Sequence, residues 1–201
     1  MRATRFLLLA ALVWIASLTP LAGASNGPRE VIESTVAAVL GVLRDSQLSD
    51  AERHQRIETI AYGVFDFPTV SRLVLARNWK RFDEPQRKAF VQEFKFLLAI
   101  NYRSRFDGYA GEEVELLGDR AEPRGDVTVR TRLTGGENDG INIDYRLREG
   151  DGRWLVIDVV VEGISIVSNY RDQFKAVLSG GKGPDDLLEK MREKNARDDA
   201  A

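Results

Sequence analysis

The strongest constraint on the fold lies between Val114 and Val161, where apolar side chains recur at alternate positions in run after run. Val114 and Leu116 begin the pattern. Val127, Val129, Thr131 and Leu133 continue it, followed by Ile141, Ile143, Tyr145 and Leu147, with Glu, Asp, Arg, Asn and Thr between. A period of two places each apolar set on one face of a strand and each polar set on the other, which is the signature of half-solvated antiparallel sheet. Gly125-Asp126, the loop from Gly135-Gly136 to Gly140, and Gly150-Asp151-Gly152 supply the turns. The fourth run, Arg153 to Val161, has Leu155, Ile157, Val159 and Val161 on one side and Trp154, Val156 and Val160 on the other, so both of its faces read as buried.

A sheet with one apolar face needs a cover, and the flanking sequence supplies helices. Pro28 opens a run with Val31, Ile32, Val36, Val39, Leu40 and Leu43 at helical spacing. Ser49 and Glu52 form a capping box for a second helix carrying Ile57, Ile60 and Ala61. Asp66 is placed to cap a third, in which Val70, Leu73 and Val74 share a face. Asp83 and Gln86 start the longest helix, whose stripe of Phe90, Phe94, Leu97, Leu98, Tyr102 and Phe106 reads first as ordinary core. After the strands, helical spacing returns with Ile164, Val167, Tyr170, Phe174 and Val177 and stops at Gly180-Gly181; Pro184 opens a last helix with Leu187, Leu188 and Met191. The prediction is an α+β domain: a curved antiparallel four-stranded sheet wrapped by helices, with a polar, frayed tail at 196–201.

At the N-terminus Arg2 and Arg5 precede an unbroken apolar run from Phe6 to Leu18, then Pro20 and the small residues Ala22-Gly23-Ala24. This is the pattern of a cleaved secretory signal peptide over 1–24, leaving a single domain over 25–201. Losing two arginines makes the remainder more acidic than the formal −2 of the whole chain, which argues against nucleic acid as a partner. With no cysteine and one histidine, His54, neither a thiolate site nor a two-imidazole metal site can be built, and no cofactor or metal is expected.

Catalytic patterns are scarce. Gly163-Ile164-Ser165-Ile166-Val167 stands at a strand-to-helix junction but lacks the second glycine of a nucleophile elbow, so Ser165 reads as a helix cap. Asp158, alone among valines, has two readings: a desolvated general base, or a structural carboxylate paired with an arginine or with backbone N–H groups. No second acid, His or Lys accompanies it along the strand, which favours the structural reading. The segment RNWKRFDEPQRK, Arg77 to Lys88, reads as a solvated helix end or as a contact with anionic headgroups or an acidic partner.

Four stretches taken together carry a resemblance: FDFPTVSRLVLARNWKRFDEPQRKAFVQEFKFLL, NYRSRFDGYAG, WLVIDVVVEGISIVSNYRDQFKAVL and DLLEKMREKN. In this order around the strands they resemble the MlaC, or toluene-tolerance (Ttg), family of periplasmic phospholipid-binding proteins. The resemblance implies a nuclear-transport-factor-like cone with an apolar cavity that takes lipid acyl chains. It also implies a non-enzymatic role, ferrying phospholipid through the periplasm in support of outer-membrane lipid asymmetry. The implied partners are an inner-membrane ABC transporter complex with a substrate-binding hexamer and an outer-membrane lipoprotein–porin complex.

Facing patterns, not the resemblance, select the cavity wall. Val159, Val161, Ile164, Val167 and Tyr170 form one side; Val70, Leu73, Val74, Phe94, Leu97 and Leu98 stand opposite; Val129, Ile143 and Tyr145 lie on the sheet. Burial in such a wall gains about 0.8 kcal/mol per methylene, so apolar surface alone suffices for affinity. Two alternatives remain open: a hopanoid-type carrier of the same family, and a small cone-fold enzyme with Asp158 as base and Tyr145 or Tyr170 as donor.

Overall fold

The computed structural model describes residues 27–200. The expected signal peptide, 1–24, lies outside the described residues. Along the chain come α1 (Pro28–Arg44), α2 (Asp50–Val64), α3 (Phe67–Leu75), a 3-10 turn (Ala76–Arg81) and α4 (Glu84–Asp107). The sheet follows, with β1 (Glu113–Ala121), β2 (Val127–Thr134), β3 (Asn142–Gly150), β4 (Arg153–Val161) and β5 (Ile164–Ser165), before α5 (Ile166–Ser179) and α6 (Pro184–Asp199). Among the described residues, no helix is long and apolar enough to cross a membrane.

The helix starts follow from local chemistry. Ser49 and Glu52 form the reciprocal capping box of α2, and Asp83 with Gln86 that of α4. Asp66 accepts the Thr69 N–H at 2.9 Å, and Ser165 accepts the Ser168 N–H at 3.0 Å. The last helix continues past Asn195 to Asp199, where the sequence suggested a frayed tail. Its final turns are held by the Lys194–Asp198 ion pair and by Arg103, whose guanidinium reaches Asp199 at 3.4 Å.

All strand pairs are antiparallel, in the order β1-β2-β3-β4-β5. The sheet has five strands where the period predicted four. Glu162 (φ 49°) and Gly163 (φ 79°) make a two-residue turn with both residues left-handed, which folds Ile164 back opposite Val161 and Ser165 opposite Val160. The helix therefore begins at Ile166, two residues later than the apolar spacing indicated.

A bulge in β4 overturns part of the face assignment. Asp158 pairs with Arg146, but the next β3 residue, Leu147, pairs with Val156, so Ile157 is an extra residue and the alternation breaks there. Trp154 and Val156 consequently join Val159 and Val161 on the same apolar cluster, where strict alternation had put them on opposite faces. Beside the bulge, the Val156 carbonyl accepts the Asp66 N–H at 3.0 Å, tying the α2–α3 junction to the sheet.

The apolar side chains form two clusters. One is helical: Val70, Val74 and Leu75 of α3, Phe82, Phe90, Phe94 and Leu97, and the inward faces of α5 and α6. The Phe90, Phe94, Tyr170 and Phe174 rings meet mostly edge to face, at centroid distances of 5.2–5.7 Å across the group. The second cluster lies between the sheet and the first two helices, with Ile32, Val64, Val129, Leu147, Val156 and Val159 at its centre.

Candidate functional site: an apolar seam under the sheet

The two clusters differ in how completely they close. In the helical cluster the large side chains are almost wholly removed from water, and Phe90 and Phe94 are 0% exposed. Against the sheet, many apolar groups are only half-buried: Val31 and Val36 of α1, Leu116 of β1, Ile143 and Tyr145 of β3, Val161 of β4 and Ile166 at the start of α5. Register explains why they share one surface. Thr131 stands opposite both Leu116 and Ile143, Val129 opposite Tyr145, and Val159 and Val161 opposite Tyr145 and Ile143. The sheet thus presents a continuous apolar face, and α1 and α2 cover it incompletely. Of the 17 residues of α1 only Ile32 is fully buried, whereas α3 buries six of its nine.

The expected cavity wall is divided between these clusters. Val70, Val74, Phe94, Leu97, Val167 and Tyr170 belong to the helical core, with Leu73 and Leu98 packed against it. Val129 and Val159 belong to the sheet cluster, with Ile143, Tyr145 and Val161 packed against that. Ile164 joins neither; it is 66% exposed at the β4–β5 turn, because the left-handed pair before it turns its side chain to solvent. The sequence reading missed Ile166, which packs against both clusters, and the contribution of α1 through Val31 and Val36. The apolar period of α1 was visible; its position over the sheet was not.

Among the depressions on the described residues are two that no residue of the expected wall lines. One, about 360 Å³, lies between α1 and α2 at Val42, Gln55, Arg56, Thr59 and Ile60. The other, about 460 Å³, lies between α4 and α6 at Gln92, Glu93, Phe96, Arg192, Asn195 and Ala196.

Asp158 is 2% exposed and fully engaged. Its Oδ2 accepts from Arg146 Nη2 at 2.9 Å and from Ser165 Oγ at 2.6 Å, while Oδ1 accepts the Val167 N–H at 3.1 Å. A carboxylate with three donors, one of them cationic and one at the first turn of α5, fixes that helix on β4. This arrangement matches the structural reading of Asp158, with both carboxylate oxygens hydrogen-bonded. Tyr170, one of the two tyrosines considered as donor, accepts from Asn101 Nδ2 at 2.8 Å inside the helical cluster. Burial raises the Tyr170 pKa; in Tyr145, which faces the seam, burial pushes the hydroxyl up to about 12.

Within the basic segment, two arginines act on the backbone. Arg81 donates to the carbonyls of Leu178 and Lys182, and Arg87 donates twice to Trp79 O while its guanidinium lies 5.3 Å from that indole. Among the described residues, no cluster of three or more His, Cys, Asp or Glu is arranged to hold a metal ion.

Comparison with known proteins gives a consistent picture. The family profile described as MlaC protein matches residues 33–193. The chain is 25% identical over 168 residues to the toluene tolerance protein Ttg2D of Pseudomonas putida, covering 81% of this chain and 78% of that protein. Its fold matches a phospholipid-binding protein of Ralstonia solanacearum, solved in complex with a phospholipid, with a TM-score of 0.77 at 21% identity, over 86% of this chain and 99% of the other.

Proposed function

The chain belongs to the MlaC family, and from that premise we propose that it is a non-enzymatic lipid carrier that holds phospholipid acyl chains against the inner face of its sheet. The observation that carries this reading is the run of half-buried hydrocarbon on that face, from Leu116 through Ile143 and Tyr145 to Val161. A well-packed domain gains by closing such a surface, and an apolar face left reachable by water marks a place where something else binds. Hydrocarbon chains fit it: each methylene moved from water into the seam gains about 0.8 kcal/mol, offset in part by the ordering of both partners. In this reading α1, held by little buried surface, lifts from the sheet to admit cargo. The phospholipid in the Ralstonia solanacearum structure supports the choice of ligand.

The setting follows the family and the leader sequence: export to the periplasm, and exchange of lipid with an inner-membrane ABC transporter complex and an outer-membrane lipoprotein–porin complex, in the service of lipid asymmetry. A hopanoid would ask for the same apolar volume and is the alternative cargo. The experiment is to purify the mature protein from cells without detergent, denature it, and identify by mass spectrometry the organic-soluble material released. About one glycerophospholipid per chain is the expected result. Hopanoid would keep the carrier and change its cargo, and folded protein that releases no lipid would overturn the proposal.

A further inference from the structure

We propose that the Tyr145 hydroxyl donates a hydrogen bond to an ester carbonyl oxygen of the bound lipid, so that the seam prefers ester-linked to ether-linked lipids. This inference rests on the carrier reading and adds a polar subsite to it.

Of the five tyrosines, three have partners for their hydroxyls. Tyr62 donates to the Glu58 carboxylate, Tyr109 accepts from Arg44 Nε at 3.2 Å, and Tyr170 accepts from Asn101 Nδ2. Tyr102 and Tyr145 have none among the described residues. Tyr102 lies in the last turns of α4, where burial raises its pKa against the opposing positive charge of Arg105. Tyr145 sits in the middle strand of the sheet, between Val129 and Val159, with Ile143 and Val161 one position along on the same face. Tyr145 is half-buried, so water can meet its O–H while the seam is open; a ligand that displaces that water leaves the O–H unmet, at a cost, unless it brings an acceptor. Phenylalanine would fill the same volume without that cost. The position therefore makes chemical sense when the acceptor arrives with the ligand.

The kind of acceptor follows from the surroundings. A phenol is protonated throughout the physiological range, and burial pushes this one further up, so its O–H is available there as a donor. The neighbouring positions Asp144 and Arg146 belong to the opposite face by alternation, and Arg146 is committed to Asp158. A phosphate placed at Tyr145 would be stripped of water with no counter-charge, which is strongly unfavourable. An ester carbonyl is neutral and lies where glycerol meets acyl chain, so it can accept the bond while the chains stay on hydrocarbon.

The test compares two lipids with the same chains and headgroup, a diacyl phosphatidylglycerol and its dialkyl ether analogue, competed for the mature protein and read by native mass spectrometry. Wild-type protein is expected to favour the ester lipid about fivefold, the ratio one neutral hydrogen bond gives. Tyr145→Phe is expected to bring that ratio to about one without weakening the ether lipid, and Tyr102→Phe to leave it unchanged. Equal binding by wild type, a preference that survives in Tyr145→Phe, or one lost in Tyr102→Phe would each overturn the proposal. The wild-type comparison stands even if a variant folds poorly. Failure of both lipids to bind wild-type protein would instead bring down the carrier reading.

Discussion

Glu112 is 4% exposed, and the two loops it joins close around it. Its carboxylate accepts the Ala110 N–H at 2.7 Å and Asn138 Nδ2 at 2.9 Å, and the backbone hydrogen bond to Ala110 is the main cause of its lowered pKa. Gly136 is needed opposite it on two counts: its φ is 62°, and a β-carbon there would stand 2.5 Å from the carboxylate. Since the folded pKa lies below the unfolded one, the stabilisation is complete above the ordinary carboxylate range and disappears as pH falls through the depressed folded value. Glu112→Gln should therefore be less stable than wild type at pH 7, with the gap closing on acidification to about pH 3. Urea unfolding at both pH values checks this, and a pH-independent gap would refute it. Asp158 makes a sharper case. Asp158→Ala leaves the Val167 N–H, the Ser165 hydroxyl and one face of the half-exposed Arg146 without their acceptor, and should cost about 2–4 kcal/mol in urea unfolding while the folded fraction still carries lipid. Its structural role was legible in the sequence because a lone acid between valines has few ways to be satisfied. Ser165 as its partner was not legible, since that contact depends on a two-residue turn.

At the level of elements, starts were easier to read than faces. Caps at Ser49, Asp66, Asp83 and Ser165 announce four helices because each serves a local need, the unmet N–H groups of a first turn. The fifth strand escaped because Glu162 carries no mark of a left-handed conformation. The β4 faces were misread for a related reason: a bulge at Ile157 leaves no trace in a row of β-branched residues. How tightly each element is held is a tertiary property. With only Ile32 fully buried, α1 should show amide exchange about tenfold faster than α3 and α4, and lipid loading should narrow the difference. Hydrogen exchange followed by mass spectrometry reads this directly, and an α1 as protected as α3 in the lipid-free protein would count against its lifting.

Over the whole molecule, the architecture could be read from the switch between periods of 3.6 and two, and the family from the order of four motifs. The expected wall does not form one surface. Periodicity gives a residue's side of its own element, and it does not say which elements share an interior; thus Phe94 and Val129, both expected in one wall, lie in different clusters. Ile166 is the side chain common to both, seated where Asp158 pins α5 to β4. That contact joins the two clusters at one point, beside the carboxylate that fixes the start of α5. If the proposed carrier opens at its seam, the closely packed aromatic side has no need to follow, and a lipid could enter without melting the fold.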